Sequence, residues 1–166
     1  MQTLSQLSAV IEAELEKLDF PEKPAKLYRS IEYVMGLGGK RMRPILLLMA
    51  HQLFDNNIEK AISPALGVEI FHNFTLLHDD IMDQAPLRRG QQTVHEKWNK
   101  NVAILSGDTM LVQAYNFLVD VDRSIIKELL AVFNKTATQV CEGQQMDMDF
   151  ESQKAVPLPT YLKMIE

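Results

Sequence analysis

The sequence predicts an all-α protein. Apolar residues recur at three- and four-residue spacing along nearly the whole chain, and the period-two alternation of a half-buried strand is nowhere sustained. Pro, Gly and Asp-Asn clusters fall between the periodic segments, where helices have to stop.

Leu4, Leu7, Ile11, Leu15 and Leu18 share one stripe, so the first helix runs from about Leu4 to Leu18 and ends before Asp19-Phe20-Pro21. The second starts at Pro24 and ends where Gly36, Gly38 and Gly39 break the pattern. A third follows Pro44 through Leu53, closed by Asp55-Asn56-Asn57. In the fourth, Ser63 serves as N-cap and Pro64 as first helical residue, and no breaker intervenes before about Gln84. Arg88 to Thr93 form a Gly-containing loop. Two further helices span about Asn101 to Val119 and, capped by Ser124, about Ile125 to Asp147. Pro157 and Pro159 interrupt the chain, and PTYLKMIE then opens another helix.

The 166 residues suit a single domain, and 46% apolar with 23% charged residues is ordinary for a folded globular chain. A net charge of -5 disfavours nucleic acid as a partner, because that binding depends on Lys and Arg neutralising phosphates. Cys141 is the only cysteine, excluding an intramolecular disulfide and reading as a buried or idle thiol in a reducing compartment. The N-terminus lacks the basic and apolar regions of a secretory signal. The longest apolar run, Pro44 to Ala50, is far short of the roughly 20 residues that span a bilayer. The expectation is a cytoplasmic protein without a transmembrane segment.

On a helical wheel the fourth helix places Ile70, Phe71, Phe74, Leu77, Ile81 and Met82 on one face and Glu69, His72, Asn73, Asp79, Asp80 and Asp83 on the other. Between Pro64 and Gln84 it has four carboxylates and no Lys or Arg. Like charges four apart weaken a helix by a few tenths of a kcal/mol. Anions in its last turns oppose the dipole by about 0.3 to 1 kcal/mol each. A cation should therefore compensate them. Carboxylates one turn apart can each offer an oxygen to Mg²⁺, which takes one or two carboxylates plus water and substrate phosphates. Two basic clusters flank this helix. GGKRMRP, Gly38 to Pro44, joins glycines to Lys40, Arg41 and Arg43 at a helix start, an arrangement suited to an anion. Leu87-Arg88-Arg89-Gly90 follows the aspartates directly.

GGKRMRP, EIFHNFTLLHDDIMDQAPLRRG (Glu69 to Gly90), GDTML (Gly107 to Leu111) and GQQMD (Gly143 to Asp147) stand in the order and spacing of the trans-isoprenyl diphosphate synthases. The chain resembles that family over essentially its whole length, and DDIMD resembles its first aspartate-rich motif, DDxxD. The resemblance implies the N-terminal portion of a helical bundle of the isoprenoid synthase type. It implies that Asp79 and Asp83 chelate Mg²⁺, with Asp80 in support, and that Arg88 contacts an allylic diphosphate whose side of the cavity Gln144 and Asp147 line. Lys40, Arg43, His72 and Arg89 would bind the diphosphate of isopentenyl diphosphate. Asp79, Asp83 and Arg88 would carry catalysis. Thr75 and Phe74, four and five residues before Asp79, would floor the pocket for the growing chain, with bulky Phe74 implying a farnesyl or geranylgeranyl product. A homodimer is implied too. The family's second aspartate-rich motif is absent after Asp149, implying a fragment of a longer protein with poor turnover alone.

Two rival readings exist. An all-α metal phosphohydrolase would draw on His51, His78-Asp79 and Asp108, but His78 lies on the apolar face and neither basic cluster is explained. A non-catalytic helical subunit that binds diphosphate is the other.

Overall fold

The computed structural model describes residues 2–165. Among them are eight helices: α1 Leu4–Glu16, α2 Ala25–Gly36, α3 Met42–Gln52, α4 Glu59–Met82, α5 Val94–Lys97, α6 Lys100–Val119, α7 Ile126–Glu151 and α8 Leu158–Ile165. A two-stranded antiparallel ribbon, β1 Leu87–Arg88 and β2 Gln91–Gln92, follows α4. The chain groups into two compact units, Met1–Asp122 and Arg123–Glu166. The all-α expectation holds.

In the first unit α4 is the central element. Leu7 and Ile11 of α1, Ile45 and Leu48 of α3, and Ile58, Ala61 and Ala65 at the start of α4 form one buried cluster. Buried apolar area of this kind stabilises by about 25 cal/mol per Å². A capping box starts α1: Gln6 N–H donates to Thr3 Oγ1 at 3.3 Å, and Thr3 N–H donates to Gln6 Oε1 at 2.9 Å. On its other side α4 meets α6. Gly67 makes this contact close, since a Cβ there would lie 3.0 Å from both the Ala114 carbonyl oxygen and Leu118 Cγ. The Ser63 hydroxyl donates to the Phe117 carbonyl at 2.9 Å, and the Ser30 and Ser106 hydroxyls, 2.6 Å apart, join α2 to α6.

Several boundaries differ from the expected ones. α4 starts at Glu59, ahead of the expected N-cap at Ser63, and Pro64 lies inside it. Ile58, Ala61 and Ile62 are buried, so packing extends the helix through a proline that propensity would place first. Ser63 serves the α4–α6 contact instead. The expected loop at Arg88 to Thr93 is a hairpin followed by the single turn α5, both too short to leave a periodic signal. α7 continues to Glu151, and its N-cap is Ile125 rather than Ser124. Cys141 is exposed rather than buried.

α6 is 20 residues long with a mean hydropathy of 1.3, enough by length and composition to cross a membrane. It buries Ala103, Ser106, Gly107, Met110, Ala114 and Leu118 within this unit, and about a third of its apolar window is buried. The second unit pairs α7 with α8, and Gly143 permits the contact because a Cβ there would lie 2.9 Å from the Met164 carbonyl.

The Gly67 contact generates a prediction. Gly67→Val should lower stability by about 1 to 3 kcal/mol, because overpacking against a backbone carbonyl outweighs the helix propensity gained. Chemical denaturation measures it, and an unchanged midpoint would contradict the close approach.

Candidate functional site

The turn before α3 holds its shape through left-handed backbone: φ is 74° at Gly38, 151° at Gly39 and 47° at Arg41. For a residue with a Cβ that conformation costs roughly 1 to 2 kcal/mol, and Arg41 recovers it through its side chain. The Arg41 guanidinium is buried, donating to Glu69 Oε1 at 2.7 Å, the Met35 carbonyl at 2.9 Å and Glu12 Oε1 at 3.2 Å. Asn73 Nδ2 donates to the Glu69 carbonyl at 2.9 Å and to Glu69 Oε1 at 3.1 Å. One sequence reading is corrected here. Arg41 is no part of an open basic cluster, because Glu69 neutralises it. On the polar face of α4, Glu69, Asn73 and Asp80 are buried.

Arg43, in the first turn of α3, faces His72 of α4 with Nη1 3.1 Å from Nε2. Burial, with the positive fields of Arg43, Arg89, Arg88 and Arg41, pushes the His72 pKa down to about 4. The ring is thus neutral near pH 7 and accepts from Arg43. The Arg89 guanidinium lies against the backbone of Gly39, with both terminal nitrogens 3.0 Å from where a Cβ would stand. Gly39, Arg43, His72 and Arg89 therefore converge from three chain segments. Lys40 is exposed beside them.

The hairpin delivers both arginines of LRRG. Leu87 pairs with Gln92 and Arg88 with Gln91, leaving Arg89 and Gly90 as a two-residue turn with φ of 53° and 78°. Positive φ at both positions is the type I′ signature, usually met by Asn or Gly, so Arg89 accepts strain to stand there. Thr93 Oγ1 donates to the Ala85 carbonyl at 2.7 Å, and the Tyr33 hydroxyl donates to the Gln92 carbonyl at 2.7 Å. Trp98 stacks edge-on against Tyr33 with ring centroids 5.4 Å apart, and Lys97 Nζ lies 3.9 Å above the Tyr33 ring.

Arg88 turns to the aspartates: Nε donates to Asp80 Oδ1 at 2.8 Å and Nη2 to Asp79 Oδ2 at 3.4 Å. Here is the cation that the end of α4 requires. Burial raises the Asp80 pKa while the Arg88 bond and charge oppose the rise. Asp83 is the exposed C-cap of α4, its N–H donating to the Asp79 carbonyl at 2.9 Å. Asp79 and Asp83 are thus one helical turn apart. Among the described residues no group of three His, Cys, Asp or Glu gathers around a point. That donor set fits Mg²⁺, which binds through one or two carboxylates and completes its shell with water and phosphate oxygens.

Phe74 packs against Phe71 at 5.6 Å and His78 at 4.8 Å between ring centroids. The Thr75 hydroxyl donates to the His72 carbonyl at 2.8 Å. Gln144 and Asp147 lie on α7 in the second unit, where with Thr136, Gln139 and Met164 they line a cavity of about 380 Å³. The phosphohydrolase set does not assemble: His78 Nε2 is 3.9 Å from Asp108, but His51 Nε2 lies 2.9 Å from the Asn57 carbonyl beyond α3, and no group of three such ligands forms among the described residues. Sequence reasoning missed the Arg41–Glu69 pair and the Tyr33 anchor. The glycines of GGKR were the one signal that backbone, not only charge, shapes this turn.

A family profile described as polyprenyl synthetase matches residues 24–166. The chain is 41% identical over 161 residues to the geranylgeranyl diphosphate synthase of Methanosarcina mazei, covering 96% of this chain and 50% of that enzyme. To the short chain isoprenyl diphosphate synthase of Methanocaldococcus jannaschii it is 38% identical over 157 residues, 91% of this chain and 48% of that one. The solved geranylgeranyl pyrophosphate synthetase of Geoglobus acetivorans matches with a TM-score of 0.94 at 35% identity, over 99% of this chain and 54% of that structure. The chain spans about half the length of the curated relatives it matches.

Arg41→Ala should cost about 3 to 5 kcal/mol, because it leaves Glu69 buried and unpaired, and the Arg41→Met, Glu69→Leu double variant should recover part of the loss. Denaturant titration of the three proteins tests this; equal stability of single variant and wild type would refute it. His72 should stay neutral in NMR titration until the pH falls to about 4. The unfolded ring protonates near 6.5, so its contribution to stability is present above that pH and is lost as pH falls from 6.5 toward 4. His72→Gln should flatten that part of the stability curve, and a folded-state midpoint near 6.5 would contradict the cluster.

Proposed function

The chain belongs to the polyprenyl synthetase family, and we propose that it forms the N-terminal part of a single-domain trans-prenyltransferase joining isopentenyl diphosphate to an allylic diphosphate. One observation carries this reading: a cationic cluster of Gly39, Arg43, His72 and Arg89 shares α4 and one hairpin with the aspartates Asp79 and Asp83. Two anion sites of different chemistry a few turns apart suit a reaction between two diphosphates.

In this reading Lys40, Arg43, His72 and Arg89 hold the isopentenyl diphosphate. His72 contributes as a neutral group whose proton and lone pair adapt to Arg43 and phosphate. Asp79 and Asp83 would hold magnesium, with Asp80 fixing Arg88 in support. When bound, magnesium supplies charge that favours departure of the allylic diphosphate. Arg88 adds a guanidinium that spans Asp80 and Asp79 and is preorganised for the charge growing on that leaving group. As the allylic C–O bond breaks, the double bond of isopentenyl diphosphate attacks the cation, and the departed diphosphate takes the proton then lost. No protein nucleophile is needed. Apolar helix walls keep water from the cation.

Phe74, with Thr75 beside it, limits the product to farnesyl or geranylgeranyl length. That the synthases of M. mazei and G. acetivorans are named for geranylgeranyl products supports the range. As the assembled form we propose a homodimer.

The test is an assay of the native-length protein with isopentenyl diphosphate, an allylic diphosphate and Mg²⁺. Asp79→Ala should lower turnover by about 10²-fold or more, the scale expected on losing an electrostatic stabiliser of the transition state. Arg89→Ala should chiefly raise KM for isopentenyl diphosphate. Magnesium-dependent diphosphate binding with no prenyl product would instead identify a non-catalytic subunit.

A further inference from the structure

The motif GDTML has no part in diphosphate chemistry as described so far, yet its glycine is sterically constrained. Gly107 is buried in α6 and faces His78 of α4. A methyl group at Gly107 would overlap Nε2 of the His78 ring and lie 2.5 Å from Cδ2, so the ring would have to leave its place. His78 is therefore seated in a notch that only glycine leaves open. Its Nε2 is 3.2 Å from the Ile104 carbonyl, and Asp108 Oδ1 stands 3.9 Å away on the rim. On its other side the ring meets Phe74 edge-on, centroids 4.8 Å apart and planes inclined at 64°. Phe74 leans in turn on Phe71 at 5.6 Å. Phe71, Phe74 and His78 thus form a file of rings along α4, and the notch in α6 fixes its last member.

The orientation of Phe74 depends on that member. An aromatic side chain at this position has few rotamers, and an edge-to-face partner one turn away favours one of them. We infer that Gly107 and His78 are positioning residues for product length, with the α6 notch holding His78 and His78 holding Phe74 where it closes the tail pocket. This rests on the proposed prenyltransferase reading and adds to it. The Phe74 side chain sets the depth only while its orientation is held, so two residues that never touch the diphosphates would determine specificity.

The experiment compares products of the native-length protein carrying His78→Ala, Gly107→Ala, Phe74→Ala, and His78→Ala with Phe74→Ala. His78→Ala removes atoms from the notch and covers the case in which Gly107→Ala fails to fold. Each single variant should move the product distribution toward longer chains by at least one five-carbon unit. KM for isopentenyl diphosphate should change less than about twofold, because Lys40, Arg43, His72 and Arg89 are untouched. In the Phe74→Ala background, His78→Ala should add no further lengthening, since it acts through that ring. Variants with a lowered melting midpoint but wild-type product lengths would overturn the inference and leave the prenyltransferase reading standing. Wild-type protein that forms no prenyl product at all would overturn both.

Discussion

A guanidinium taken out of water must be neutralised where it lies, and in this protein Arg41 is so placed. Its side chain is 3% exposed and that of its partner Glu69 is 4%, so the pair is worth more as a constraint than as net stability. The guanidinium joins three helices: Glu12 on α1, the end of α2 through Met35, and Glu69 on α4. With that point fixed, the turn from Gly38 has one way to enter α3. Arg43, two residues on, then meets His72, which lies one turn along α4 from Glu69. The position of the cationic cluster is inherited from a buried pair that touches no ligand.

The hairpin solves a second problem of the same kind. Two adjacent arginines have to act in different directions, and a flexible loop would let both seek the nearest carboxylates. Pairing Arg88 in β1 and placing Arg89 in the left-handed turn separates them, so Arg88 reaches Asp80 and Asp79 while Arg89 reaches Gly39. The strain at Arg89 is balanced outside the turn, by Thr93 closing the base of the hairpin and Tyr33 holding the Gln92 carbonyl. Strained backbone of this sort persists where surrounding contacts over-determine it.

The helices were legible in the sequence because each repeats its apolar stripe over several turns. α1, α2, α3, α6 and α7 appear within a few residues of their expected ranges. The start of α4 was not, because Pro64 is a strong local signal and the burial of Ile58 and Ala61 is a tertiary one. The hairpin and α5 were invisible for lack of length. In the site, the residue types and their order were readable, whereas the division of labour was not. Nothing in GGKRMRP distinguishes Arg41 from Arg43; one faces inward and the other outward only because a left-handed residue precedes the helix. Glu69 likewise looks like any acid on a polar face until Arg41 is found against it.

The charges left over after this pairing are arranged as the proposed reaction between two diphosphates requires. With Arg41 and Glu69 cancelling, the motifs leave Lys40, Arg43, Arg88 and Arg89 alongside Asp79, Asp80 and Asp83, four cations to three carboxylates. A site so nearly balanced does not hold a multivalent anion by net charge. Binding depends instead on where the charges stand, with the Gly39 side electropositive and the Asp83 end electronegative along a single helix. An anion is favoured at one end outright and at the other only together with a cation. The difference is written into α4 itself: His72 is held neutral among arginines, and seven residues on Asp79 begins an acidic turn against the helix dipole. In the proposed function that gradient is what would let two like-charged groups occupy neighbouring places without competing for the same contacts.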